Sequence, residues 1–173
     1  MFMHQGIGLK GLNALEPKSA MSAFFECCHC VVLADRLTKA RPYANRADLF
    51  SLIDHELFRL DEDTVDRIVA GHPGVGARPR SKASEGEQCA IWDPDHAAMS
   101  RLHAVVGEYE AHFGHPFLVY AGELTALEIT DVAAQRLHNH PETERKVLRN
   151  ELAKVHRHRL ERMLGPEGGY PLW

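Results

Sequence analysis

Phe117-Leu118-Val119-Tyr120 is an uninterrupted apolar run of strand composition, and no second run of that kind exists to pair with it. A lone strand cannot satisfy its backbone N–H and C=O groups. Elsewhere the apolar residues recur at spacings of three and four, the helical period. The sequence therefore predicts an all-α fold, a single-domain bundle of about six to eight helices with one buried extended segment near residues 117–121. Backbone groups of that segment, unpaired by a neighbouring strand, would be available to a ligand.

The helices read off in order. Pro17, well placed as a first helical residue, opens a helix predicted to run to about Ala40. Its stripe is Met21, Phe24, Phe25, Cys28, Val31, Val32 and Leu37, and Arg41-Pro42-Tyr43-Ala44 breaks it. A second spans about Arg46 to Leu60. A third, capped by Asp61-Glu62-Asp63-Thr64, ends near Gly71. Asp93-Pro94-Asp95 starts a helix faced by Met99, Leu102, Val105, Val106, Tyr109 and Phe113, which Gly114 stops. Two more run from about Thr125 to Leu137 and from about Glu142 to Leu164.

At 173 residues the chain is long enough for one domain with a sizeable core. A net charge of -4 gives no reason to expect nucleic acid as a partner. No apolar run approaches the ~20 residues that a membrane helix needs, and the first residues lack the charged and apolar regions of a secretory signal. A cytoplasmic protein is expected. Gly6-Ile7-Gly8-Leu9-Lys10-Gly11 matches G-x-G-x-x-G, but no strand has room to precede it, so it reads as a decoy. The expected organisation is a loose tail over residues 1–11, a helical domain over 12–165 and a C-terminal tail over 166–173.

Three features carry possible chemistry. His72 precedes Pro73, which pushes it out of the helical region, while its spacing from Val65 and Ile68 continues the inward face of its helix. Ser84 and Glu87 have the S-x-x-E spacing of a capping box. One reading is a helix end, a loop and a capped helix; the other is an acid–base pair facing a pocket. In the last helix Leu148, Leu152, Val155 and Met163 form a narrow arc, and Arg159 falls inside it. A buried guanidinium needs a carboxylate of the protein or an anion from outside. Lys146, Arg149, Arg157 and Arg162 read as a solvated face. Cys27-Cys28-His29-Cys30 contains C-x-x-C spacing, but no second half-site completes a zinc tetrahedron. The cluster reads as small apolar side chains in a buried helix, and no metal or cofactor is expected.

Several motifs together resemble one family. Gly71-His72-Pro73, Ser84-x-x-Glu87-Gln88, Tyr109-x-x-x-Phe113-Gly114-His115-Pro116-Phe117, Arg136-Leu137-x-Asn139, Glu142-x-Glu144, Glu151-Leu152 and Arg159-Leu160 are similar, in order and spacing, to the OHCU decarboxylase family. Leu12-Asn13, Cys27-Cys28 and Arg41-Pro42-Tyr43 extend the likeness to roughly residues 12–165.

The resemblance implies an all-helical, cofactor-free enzyme that decarboxylates 2-oxo-4-hydroxy-4-carboxy-5-ureidoimidazoline (OHCU) to (S)-allantoin in urate breakdown, often as a homodimer. It implies catalytic roles for His72 and Glu87 and a substrate-holding role for Arg159. Pro73, Ser84 and Gln88 match further pocket positions, and Leu118, Val119, Tyr120 and Ala121 match a segment that meets substrate through its backbone. Urate oxidase and hydroxyisourate hydrolase would be its functional partners. Val106 and Gly122 depart from the usual pattern, which leaves a paralogue acting on another small carboxylated heterocycle as one alternative. A non-catalytic helical interaction module is a second, and a zinc or redox protein built on the cysteines a third.

Overall fold

The computed structural model describes residues 6–72, 74–75 and 95–167. Among these there are eight helices and no strand, as the missing strand partner requires. The chain divides into two compact units, residues 1–61 with 153–173, and residues 62–152.

The first unit holds α1 (Gly8–Ala14), α2 (Pro17–Cys28), α3 (Val31–Lys39) and α4 (Arg46–Phe58), with the second half of α8 (Pro141–Leu164). Its core is Leu12, Phe24, Leu33, Leu37, Leu49, Ile53 and Leu57, all fully buried. Two features differ from the sequence expectation. The single helix expected from Pro17 to Ala40 is broken at His29, which takes a left-handed conformation (φ 50°, ψ 30°) and caps α2 by donating its N–H to the Phe25 carbonyl at 2.8 Å. Cys30 is extended (φ -137°), and the helix restarts at Val31. Neither glycine nor proline marks the corner; histidine is among the few side chains enriched at positive φ.

The second difference lies where a loose tail was expected over residues 1–11: α1 begins at Gly8, and Ile7 donates its N–H to the Met163 carbonyl at 3.0 Å. A Cβ on Gly6 would collide with the backbone of Gly165, so this crossing requires glycine. The G-x-G-x-x-G match thus reflects α1 and a backbone crossing.

Arg41-Pro42-Tyr43 locks α1 in place. The Arg41 guanidinium donates to the carbonyls of Leu12 (2.9 Å), Leu15 (2.7 Å) and Thr38 (3.2 Å), serving carbonyls that a helix end leaves orphaned. Asn13 and Tyr43 form a reciprocal pair: the Asn13 amide donates to the Tyr43 carbonyl and accepts from the Tyr43 N–H, both at 2.9 Å. Two motifs thirty residues apart are halves of one clamp.

The second unit holds α5 (Glu62–Ala70), α6 (His96–Phe113), α7 (Ala126–Arg136) and the first half of α8. Asp95 caps α6 by accepting from the Ala97 N–H, and Gly114 ends it at φ 74°. Thr125 and Glu128 make a reciprocal capping box on α7. Val75, Met99, Leu102, Tyr109, Phe117, Val119, Ala121, Ala126, Ile129 and Ala133 form one buried cluster. The side chains of the non-helical segment thus pack into the core, as its apolar run implies. Arg145 and Arg149 tie α8 to α5 by ion pairs with Glu62 and Asp66, Arg149 reaching Glu62 at 2.5 Å.

Asn13→Ala should strand both backbone groups of Tyr43 and lower stability by roughly 1–3 kcal/mol. Urea denaturation of the two proteins measures this. Coincident midpoints would mean that the pair contributes nothing net.

Candidate functional site

His72 lies two residues past the C-terminus of α5. Val65, Ile68 and Val69 on that helix are buried, and His72 follows their face inward and is half-buried. Its backbone N–H donates to the Val69 carbonyl at 3.0 Å. The ring Nδ1 lies 2.8 Å from the Ile68 carbonyl, which can only accept, so Nδ1 carries the proton. The neutral ring then keeps its lone pair on Nε2, which is screened from solvent. A backbone carbonyl has selected the tautomer, the usual means of preparing a histidine for proton transfer. Val75, three residues on, joins the same buried cluster as Val119 and Ala121.

Several backbone groups of the segment 117–121 are held, most of them by side chains. Arg136 Nη1 donates to the Leu118 carbonyl at 2.7 Å, and a Glu151 carboxylate oxygen accepts the Tyr120 N–H at 2.8 Å. Glu110 accepts the Phe117 N–H at 3.2 Å, and the Leu124 N–H donates to the Ala121 carbonyl at 2.7 Å. Side chains have thus filled part of the gap left by the missing strand. The N–H and C=O of Val119 and the N–H of Ala121 have no hydrogen-bond partner among the described residues. Gly122, just beyond, stands at φ 51°, and a Cβ there would press on the Tyr120 ring at 3.3 Å. The turn itself disfavours any side chain at this point.

Behind the segment lies a buried polar group. Arg136 Nε donates to Glu144 Oε1 at 2.8 Å and Nη2 to the same oxygen at 2.5 Å. The Tyr109 hydroxyl also donates to Oε1, and Asn139 Nδ2 donates to Oε2 at 2.8 Å. The guanidinium lies 4.7 Å from the Phe117 ring centroid. Burial alone would raise the Glu144 pKa, but hydrogen bonds from Arg136, Tyr109 and Asn139 outweigh it and hold the carboxyl below its ordinary range. Burial, aided by the bond to Glu144, pushes the Tyr109 hydroxyl well above its ordinary value. At neutral pH the group is one cation, one anion and a neutral phenol.

Arg159 belongs to the first unit, on α8, and is 6% exposed. The arc read from the sequence holds: Leu148, Leu152 and Val155 are buried, with Met163 half-buried. Arg149 is a correction, since it is 7% exposed and paired with Glu62 rather than lying on a solvated face. The sequence reading also passed over His156, which is fully buried, and gave Arg136 and Glu144 no role. Pro73, Ser84, Glu87 and Gln88 lie outside the described residues.

The cysteines fit their structural reading. Cys27, Cys28 and Cys30 are buried free thiols. Cys28 donates to the Cys30 carbonyl at 3.4 Å, and burial pushes its thiol up to about 12, far from the reactive thiolate. Among the described residues no three His, Cys, Asp or Glu side chains gather as a metal site, and no helix is long and apolar enough to cross a membrane.

Within the second unit, the screened Nε2 of His72 and the backbone groups of Val119 and Ala121 are of a kind that can meet a small polar ligand. Comparison with known proteins gives the family. The model of the family described as OHCU decarboxylase matches residues 13–161. The 2-oxo-4-hydroxy-4-carboxy-5-ureidoimidazoline decarboxylase of Amia calva is 32% identical over 164 residues, covering 88% of this chain and 92% of that protein. In fold, the chain is similar to a crystal structure of OHCU decarboxylase in the presence of (S)-allantoin (TM-score 0.72, 17% identity, 87% of this chain and 99% of that one). It is also similar to a crystal structure of (S)-allantoin synthase (TM-score 0.73, 16% identity, 91% of this chain); it spans 54% of that longer chain.

The depressed Glu144 carboxyl makes stability depend on pH. Its contribution is fully present above the unfolded value of about 4.3 and is lost as pH falls through the lower folded value. Between pH 7 and 2.5 the wild-type urea midpoint should therefore fall more steeply than that of Glu144→Gln, which has no such carboxyl. Parallel curves would show that Glu144 is not the group responsible.

Proposed function

The chain belongs to the OHCU decarboxylase family, and from that premise we propose that it decarboxylates OHCU to (S)-allantoin in urate degradation without a cofactor. The family match across residues 13–161, joined to substantial identity with a decarboxylase over nearly its whole length, carries this reading. The prepared tautomer of His72 supports it. The proposed setting is cytoplasmic, as a homodimer fed by urate oxidase and hydroxyisourate hydrolase.

The chemistry asks little of the protein. As the bond to the carboxylate breaks, its electron pair moves into the adjacent ring C=N, so the substrate is its own electron sink. The hydroxyl on the carbon that loses CO2 gives up its proton and becomes a carbonyl. The ring nitrogen of that C=N takes up one proton and the neighbouring carbon, which bears the ureido group, another; the hydroxyl supplies one of the two, solvent the other, and CO2 leaves. The protein must hold the carboxylate in place, exclude water and deliver the carbon's proton to one face.

In this reading His72 Nε2 takes the hydroxyl proton and acts as the general acid–base. Glu87 orients or tunes it. Arg159 grips an anionic or carbonyl group of the substrate, for which its planar fork is suited. Pro73, Ser84 and Gln88 are taken as further substrate-binding residues, and Leu118 to Ala121 as meeting the ring through their backbone.

The test is to add the protein to urate oxidase and hydroxyisourate hydrolase and follow allantoin by circular dichroism. Dextrorotatory allantoin should form faster than in the protein's absence, and racemic product at the uncatalysed rate would refute the function. His72→Asn should keep the fold, because an amide N–H can replace Nδ1–H on the Ile68 carbonyl, while turnover falls by ~10²–10⁴-fold. Arg159→Lys keeps the charge but loses the fork, and should act chiefly by raising KM.

A further inference from the structure

Leu118 and Tyr120 are two residues apart, so in an extended chain their peptide groups leave from the same edge. Both are held: the Leu118 carbonyl by Arg136, the Tyr120 N–H by Glu151. The groups of Val119 and the N–H of Ala121 leave from the opposite edge, where no protein partner meets them among the described residues. How that edge is angled depends on what holds the other. Arg136 is itself fixed from several sides: two of its nitrogens meet one Glu144 oxygen, Nη2 also lies 3.3 Å from the Tyr109 hydroxyl, and the Phe117 ring lies beneath it. Glu144 is oriented in turn by Asn139.

We propose that Arg136 is a positioning residue for the proposed reaction: gripping Leu118 from behind, it sets the angle at which Val119 and Ala121 present their backbone groups to the substrate ring. The proposal rests on the decarboxylase reading given above. Arg136 touches no substrate atom; it acts through one peptide unit. Glu144 supports it by holding the guanidinium, and the Tyr109 hydroxyl bonds the same Glu144 oxygen without reaching Leu118. A backbone edge that meets the ring in both ground and transition states contributes uniform binding. Its misalignment should therefore appear in KM while kcat is kept.

Arg136→Lys retains the charge opposite Glu144 but cannot reach Glu144 and Leu118 with one rigid fork. In the coupled assay its KM should rise by several-fold up to about 100-fold, the scale that misplacement by 1 Å can carry, with kcat per folded molecule little changed. Titration calorimetry with (S)-allantoin as the probe should show affinity weakened by a similar factor. Tyr109→Phe removes one bond to Glu144 and the long contact from Arg136 Nη2, but leaves Arg136 on both Glu144 and Leu118, so it should lower the melting temperature with KM unchanged. Should Arg136→Lys fail to fold, Glu144→Gln serves instead, and its KM should rise in the same sense. A variant that melts earlier but keeps wild-type KM and allantoin affinity would overturn the positioning role and leave Arg136 structural. A wild-type protein inert in the same assay would overturn the decarboxylase reading, and the positioning role with it.

Discussion

The buried pair of Arg136 and Glu144 is the interaction on which the rest of this structure turns. An all-α chain with one extended apolar run must find partners for that run's peptide groups without a second strand. It does so with side chains, and the guanidinium is the chief of them: a planar donor fork wide enough to meet a carboxylate and a backbone carbonyl together. Taking both charges out of water is costly, and the cost is offset only because every side of the pair is hydrogen-bonded. Tyr109 and Asn139 complete the carboxylate, while Phe117 and Tyr109 cover the cation with ring faces. The apolar side chains of the same run then pack inward with α6 and α7.

The sequence revealed the larger elements because helical period and end signals agreed there. Asp95 and Thr125 mark helix starts by side-chain caps, and Gly114 marks a helix end by its freedom at positive φ. Arg159 was visible for the opposite reason, as a charge inside an apolar arc, and its burial bears that out. The break at His29 was hidden because the corner uses a histidine at positive φ, with an apolar stripe running unbroken across it. The burial of Arg149 was hidden too: its explanation is Glu62, far away in sequence, and no local pattern announces a long-range ion pair. Arg136 and Glu144 appeared in the motifs, yet their mutual role depends on Tyr109 and Leu118, which only the fold brings to them.

Polar burial in this chain serves two different ends. Around Arg136 each group satisfies its neighbour, and the arrangement is rigid and self-contained. At His72 the bond to the Ile68 carbonyl fixes which ring nitrogen holds the proton. The first arrangement holds shape, whereas the second sets a protonation pattern. The two meet in the core cluster of the second unit, where Val75 packs in company with Val119 and Ala121.

The bond from Ile7 to Met163 has a consequence for how the chain comes into being. The helix α1 leans on residues that lie far downstream in the chain. At about 5–20 residues per second, α1 waits on the order of 10 s before its lasting neighbour exists. A seven-residue helix has too few turns to persist alone in water. Until then the clamp of Asn13 with Arg41 and Tyr43, made about thirty residues on, is the nearer contact. That short-range clamp can thus serve as a holding contact for the nascent chain until α8 arrives.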